Sequence, residues 1–217
     1  MTASPPRSAV DERGGAGIVL ASASPRRHQL LALLARPFDV DAANVDESPW
    51  DAEAPLDYVA RVAEDKAAVV AERHPGRLVV AADTIVELDG AILGKPVDAA
   101  DATRMLRALS GREHHVHTHV VVAAHGPRGA RGSAITVTST VGFDVLDDAA
   151  IERYVATGEP FDKAGAYAIQ GRAAPFVREV HGSVTNIVGL PLAELRVLLL
   201  EADEWAPTAD GTPTNPS

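Results

Sequence analysis

Short apolar runs and helix-period segments alternate through the first half of the chain, and two long strand patterns open the second half. Ile18–Ala21 reads as a short buried strand. Ser24-Pro25 follows as an N-cap with proline at the first helical position, starting a helix expected to reach about Leu34. Phe38–Val40 is a second short strand. From Pro55 to about Arg73, the residues Leu56, Val59, Val62, Ala63, Ala67 and Val70 recur near a 3.6-residue period, which predicts a long helix. Leu78–Ala82 predicts a central strand that ends before Asp83. Val86–Leu93 predicts a hairpin turning at Asp89-Gly90. Asp98 caps a helix that ends at Ser110-Gly111, with glycine just past the end. Val116–Ala124 and Ala134–Leu146 are strands joined by a turn or loop, GPRGARG. In the second of them Ile135, Val137, Val141, Phe143 and Val145 share one face. Helices follow at Ala149–Thr157 and Leu192–Leu200, with a Gly-rich polar stretch between them. The mixture predicts the α/β class, with a mixed, twisted sheet flanked by helices in two lobes around a central cleft. No linker separates the lobes, so residues 17–205 form one domain between tails at 1–16 and 206–217, both expected to be disordered.

Composition narrows the function. The 217 residues are 46% hydrophobic and 23% charged, ordinary for a globular domain that needs no staple. Cysteine is absent, which removes disulfides, thiolate metal sites and a catalytic thiol. The net charge of −10 disfavours bulk nucleic-acid binding but leaves room for a small anion at a locally positive site. No apolar run approaches a membrane span and the N-terminus lacks the apolar stretch of a signal peptide, so a cytoplasmic protein is expected.

Several segments carry candidate chemistry. In Leu20-Ala21-Ser22-Ala23-Ser24-Pro25-Arg26-Arg27 a strand ends, two hydroxyls follow and a helix opens with two arginines. Cations oppose the macrodipole there, so the plain reading is a capped helix with surface arginines. The sharper reading is a polyphosphate site, where helix-start N–H groups, hydroxyls and guanidiniums converge. Asp83-Thr84 follows a buried apolar run, and a carboxylate emerging there is a metal ligand, a base or a turn residue. Lys66 and Lys95 look like surface lysines when taken alone, and Asp46-Glu47 looks like an acidic turn. Phe161–Gly171 joins a charge pair, small residues and Gln170 in one short segment that suits close backbone approach to a ligand. His115, His117 and His119 would share a strand face, which invites a zinc reading, with His114 beside them. The plainer alternative is a half-exposed sheet face, because no fourth ligand is evident.

Taken together, LASASPRR (20–27), VDES (45–48), EDKAA (64–68), AADTIV (81–86), GKP (94–96), LSGREHHVHT (109–118), DKAGAYAIQG (162–171) and VGLPL (188–192) resemble the Maf family of nucleoside triphosphate pyrophosphatases. The resemblance implies an elongated α/β fold similar to that of inosine triphosphate pyrophosphatase. It also implies cleavage between the α and β phosphates, assisted by Mg²⁺ or Mn²⁺, to a nucleoside monophosphate and pyrophosphate. By the same resemblance Ser22, Ser24, Arg26 and Arg27 bind phosphate, and Glu47, Lys66, Asp83 and Lys95 are the charged catalytic set. Asp83 matches the family's proton acceptor. Chemically, Glu47 or Asp83 can also hold the metal, and the sequence leaves open whether Asp83 takes the proton or mainly serves as a metal ligand. Arg26, Thr84 and Gln170 set base preference in the pattern of the dTTP/UTP-preferring group. The alternative function is a nucleotide-binding regulator of septum formation. The partners implied are a nucleoside triphosphate and, compatibly, a second copy in a homodimer. One departure is Ala81, where the family often has glycine.

Overall fold

The structure, a computed structural model, describes residues 17–126 and 129–205. The expected tails, and Pro127-Arg128 within GPRGARG, lie outside the described residues. Leu78–Leu88 (β3) is the axis of a seven-stranded mixed sheet. Ile18–Leu20 (β1) pairs with it in parallel, and Phe38–Val40 (β2) extends the sheet in parallel beyond β1. Ala91–Leu93 (β4) returns on β3 after Asp89-Gly90 as the hairpin pattern predicts, with Val86 opposite Leu93. Glu113–Gly126 (β5), Gly129–Phe143 (β6) and Val177–His181 (β7) then add antiparallel strands on the other side. The α/β class and the mixed sheet are therefore as expected.

The helices lie at Pro55–Arg73 (α2), Ala99–Leu109 (α3), Asp148–Val155 (α4), Val184–Val188 (α5) and Leu192–Asp203 (α6), after Pro25–Ala32 (α1). Local capping chemistry explains most of these boundaries. The side chains of Ser24, Asp98, Asp147 and Ser183 each accept from a backbone N–H in the first turn of the helix they cap. One face of the sheet packs against α2, where Ala63, Ala67 and Val70 meet Val19, Val79, Ala81 and Val121. The opposite face packs against α1 and α6, where Leu31, Leu195 and Leu199 meet Ile18, Leu20, Val80 and Val122. A third cluster gathers α3, α4, Tyr167 and the far ends of β3, β5 and β6. Val59, Val62 and Val70 are fully buried on α2, and each such side chain contributes roughly 1.5–3 kcal/mol of burial. Among the described residues no helix is long and apolar enough to cross a membrane.

Four expectations need correction. The central strand does not end before Asp83 but runs on to Leu88, because β5 pairs with it all the way from Leu78 to Glu87. Most of GPRGARG is strand, since β5 and β6 stay in register out to Gly126 opposite Gly129. Val145 lies beyond β6 and is 87% exposed, and Ile135 is also exposed. Only Val141 and Phe143 of the expected face are fully buried, because the third cluster covers only that end of β6. Helix α1 stops at Ala32 rather than near Leu34, as Leu33, Leu34 and Ala35 donate to carbonyls three residues back in a tightened last turn.

Candidate active site

The sheet is split next to Asp83. Strand β1 pairs with β3 only over Leu78–Val80, and β4 pairs with it only over Val86–Leu88. Between them, Ala81–Ile85 have β5 on one side and, among the described residues, no strand on the other. The chain leaving β1 bends away through Ser22 to the start of α1, and the gap widens into a cavity of about 550 Å³. Ser22, Ser24, Arg26, Arg27, Glu47, Lys66, Asp83, Thr84, Lys95 and Gln170 all line this cavity. The segments that hold them are scattered over about 150 residues of sequence, roughly the span of a domain. Every residue singled out above for catalysis, phosphate or base is thus brought to one place.

Successive residues on a strand face opposite ways, and that divides the site. Asp83 points to the α2 face. Lys66, buried on α2, donates from Nζ to Asp83 Oδ1 at 2.8 Å and pairs with Glu47 Oε1 at 2.7 Å. One ammonium therefore bridges two carboxylates. Burial is the strongest influence on Glu47 and opposes its ionisation. The Lys66 hydrogen bond and charge, with Lys95 and Arg27, outweigh it and lower the Glu47 pKa. Glu47 arrives on the irregular segment before α2, where Tyr58 donates to its backbone carbonyl at 2.8 Å and Arg61 donates to that of Ser48 at 3.0 Å. Burial, with Asp83 and Glu47 nearby, pushes the Tyr58 phenol up to about 12, so it remains a donor at neutral pH.

Thr84 points to the other face, toward Arg27. The Arg27 guanidinium donates to Thr84 Oγ1 at 3.0 Å, to the Gly189 carbonyl at 2.9 Å and to Ser22 Oγ at 3.3 Å. Burial lowers its pKa, and the charges of Asp83 and Glu47 resist that shift. A guanidinium stays charged at any working pH regardless. Arg26 reaches across the cavity to Asp162 at 3.4 Å, and Asp162 also pairs with Lys163. Gln170 is exposed on the same side. The loop carrying these groups packs so closely that a Cβ on Gly165, which has φ of +67°, would lie 2.9 Å from Val86.

The histidines do alternate on one face of β5, but they are bound to neighbours. Nδ1 of His115 meets Glu87 at 3.0 Å, that of His117 meets Thr138 at 2.8 Å and that of His119 meets Thr136 at 2.7 Å. Among the described residues no group of three or more His, Asp or Glu side chains is placed to hold a metal ion. The expected half-exposed face needs correction: only His115 is exposed, while His117 and His119 are buried against Thr138 and Thr136 of β6. His114 is buried on the opposite face, its Nε2 2.8 Å from the Tyr167 hydroxyl and its ring edge-on to Phe143. Glu47 and Asp83 remain as two hard oxygen donors converging on one point. That set is too small to cage a cation but fits one completed by water and substrate phosphates.

The Maf-like protein model matches residues 17–202. The chain belongs to the Maf family. It is 54% identical over 186 residues to a dTTP/UTP pyrophosphatase of Anaeromyxobacter dehalogenans, covering 85% of this chain and 93% of that relative. Another Maf relative, the dTTP/UTP pyrophosphatase of Geobacter sulfurreducens, is 54% identical over 178 residues, covering 82% of this chain and 92% of the relative. The solved structure of the Staphylococcus aureus Ham1 protein aligns over 85% of this chain and 98% of its own with a TM-score of 0.48 and 16% identity.

The sequence reading missed Tyr58, Thr118 and Asn186. Tyr58 had one signal, its place one turn into a helix that follows an acidic segment. Thr118 had one too, as the last residue of LSGREHHVHT, whereas Asn186 had none because its importance comes from the partners that the fold gives it.

Proposed function

We propose that this chain hydrolyses nucleoside triphosphates between the α and β phosphates, favours dTTP and UTP, and releases a nucleoside monophosphate and pyrophosphate. The convergence of Arg26, Arg27, Lys66 and Lys95 with Glu47 and Asp83 on one cavity carries the reading. The names of the relatives support the choice of substrate. Ser22, Ser24 and the first N–H groups of α1, with Arg26 and Arg27, bind the phosphates. Lys66 and Lys95 offset the charge that develops on the leaving pyrophosphate.

Asp83 holds Lys66 through Oδ1, which leaves Oδ2 for water. A water oxygen bonds to the α-phosphorus as the bond from that phosphorus to the bridging oxygen breaks, and the water proton passes to Asp83. The pyrophosphate takes the bridging oxygen and its electron pair. Glu47 and Asp83 would hold Mg²⁺ or Mn²⁺, which when bound supplies charge neutralisation at the phosphate oxygens and acidifies water.

At the other end Gln170 offers both a donor and an acceptor to the carbonyl and N3–H edge of thymine or uracil. Arg26 repels a cationic base such as 7-methylguanine. Incubating pure protein with a nucleotide panel and Mg²⁺ or Mn²⁺ tests the reading. Nucleoside monophosphate and pyrophosphate are expected, with higher kcat/KM for dTTP and UTP than for 7-methyl-GTP. Orthophosphate and a nucleoside diphosphate would overturn the reaction, and a preference for 7-methyl-GTP would overturn the base assignment.

A further inference from the structure

Arg27 is tied into a chain of hydroxyls whose direction the structure determines. Thr118 is fully buried on β5, opposite Thr84 in register, and is not part of the cavity wall. Its Oγ1 donates to the Asn186 backbone carbonyl at 2.9 Å. A threonine hydroxyl has one proton to give, so Thr118 can only accept in its 2.9 Å contact with Thr84 Oγ1. Thr84 therefore spends its own proton on Thr118 and accepts from Arg27, which has no lone pair to offer. The path runs one way, from Arg27 to Thr84 to Thr118 to Asn186.

It also closes. Asn186 and Gly189 belong to the same short segment, α5 and its C-cap, and Arg27 Nε donates to the Gly189 carbonyl. The fully buried Asn186 fixes that segment by donating from Nδ2 to the Val116 carbonyl and to Ser139 Oγ, both at 2.9 Å. Gly189 has φ of +118°, and a Cβ there would stand 3.4 Å from Thr84 Oγ1 and 3.6 Å from Arg27 Nε. Residues from α1, β3, β5 and α5 thus form one ring about the guanidinium. Three of its five N–H groups are taken up by Gly189, Thr84 and Ser22. Two remain for a ligand in the cavity.

We infer that Thr84, Thr118 and Asn186 are positioning residues that lock the Arg27 fork toward the triphosphate, so that Thr84 serves the phosphate end of the site through Arg27. The inference rests on the nucleotide reading of the cavity. With its one proton committed to Thr118 and one lone pair taken by Arg27, Thr84 keeps a single acceptor site and no donor, which leaves Gln170 as the group that offers both to a base.

Thr118→Val and Thr118→Ser, compared with wild type on dTTP and GTP, test this. The first keeps the shape and removes the hydroxyl, and the second keeps the hydroxyl. Thr118→Val is expected to raise KM for both nucleotides by about three- to tenfold, the effect of one hydrogen bond. The kcat and the dTTP:GTP ratio of kcat/KM should stay put, and Thr118→Ser should restore KM. Solvent exchange of the Arg27 Nε proton, followed by NMR without substrate, should quicken in Thr118→Val and not in Thr118→Ser. Unchanged KM, a shifted dTTP:GTP ratio or unchanged exchange would each overturn the inference. Should Thr118→Val not fold, Thr118→Ala carries the same readouts. Wild-type protein that hydrolyses no nucleotide would overturn the pyrophosphatase reading alone, and the exchange rate would still decide the role of the ring.

Discussion

Replacing Lys66 by methionine isolates what one buried ammonium does between two carboxylates. The change keeps the apolar stem on α2 and removes the charge that touches Asp83 at 2.8 Å and Glu47 at 2.7 Å. The two carboxylates then face each other across less than the sum of those contacts. At about 5 Å and an effective dielectric constant of about 20, their repulsion is roughly 3 kcal/mol. Stripping a buried charge of its partner costs about 3–5 kcal/mol in general. The Glu47 side chain is 48% exposed while that of Asp83 is 12% exposed, so solvent screens one half of the pair. A net loss of about 2–3 kcal/mol at pH 7.5 is expected, or a Tm lower by roughly 4–12 °C for a chain of this size.

The pH dependence separates charge from packing. In the wild type, Lys66 helps hold the Glu47 pKa below its ordinary value despite burial. Stability from that pairing is present above the unfolded carboxylate pKa and is lost as pH falls through the folded one. In Lys66→Met the burial remains without the ammonium, so Glu47 resists ionising and the deficit grows as pH rises. Urea unfolding of both proteins from pH 4 to 7.5 should show the gap narrowing on the acid side. A gap of the same size at every pH would refute the reasoning and reduce Lys66 to a packing residue.

Asp83→Asn should lower turnover by at least about a hundredfold, the lower range for losing acid–base participation, with a smaller fall in Tm than Lys66→Met because Lys66 keeps Glu47 and the amide oxygen as acceptors. Near wild-type turnover would show that Asp83 is structural. Arg27→Ala should raise KM for dTTP by about tenfold or more, the worth of a charge-assisted hydrogen bond, and an unchanged KM would remove Arg27 from the phosphate site. Burial, with a smaller push from His115, holds the His114 imidazole down to about 4. The unfolded chain then takes up a proton near pH 6.5 that the folded one refuses, so stability falls as pH drops below 6.5, by about 2 kcal/mol at pH 5. Acid unfolding curves of His114→Phe should lack that component, and identical curves would place the titration elsewhere.

What was legible in the sequence was local or periodic. Ser24-Pro25, Asp98 and Asp89-Gly90 announce their turns and caps through chemistry within a few residues, and the structure has them there. Asp83 looked like the end of a strand because the partner that prolongs β3 is β5, more than thirty residues further on. Val145 looked like core because alternation continues past the point where the third cluster covers β6. Lys66 carried a signal that isolated inspection passes over. It stands three residues after Ala63 and four before Val70, on the buried stripe of α2. A lysine on such a stripe is buried only with partners, and those partners are the two carboxylates of the site.

The split in the sheet explains why the Lys66–Asp83 pair and the Arg27–Thr84 contact meet at adjacent residues. A strand paired on both sides would present Asp83 and Thr84 to two closed cores. Here β1 has ended and β4 has not begun, so both faces of β3 open on the same gap. Asp83 takes its partner from α2 on one face, and Thr84 takes Arg27 from α1 on the other. The pleat separates the two contacts by one residue, and both Asp83 and Thr84 line the one cavity. A slip of one residue in the β3–β5 register would send the carboxylate to Arg27 and the hydroxyl to Lys66. The ten-residue pairing of β3 with β5, from Leu78 to Glu87, is the element that prevents it. The length of β5, which the hydrophobic pattern alone understates, is therefore part of the site: it fixes which face each group of the site occupies.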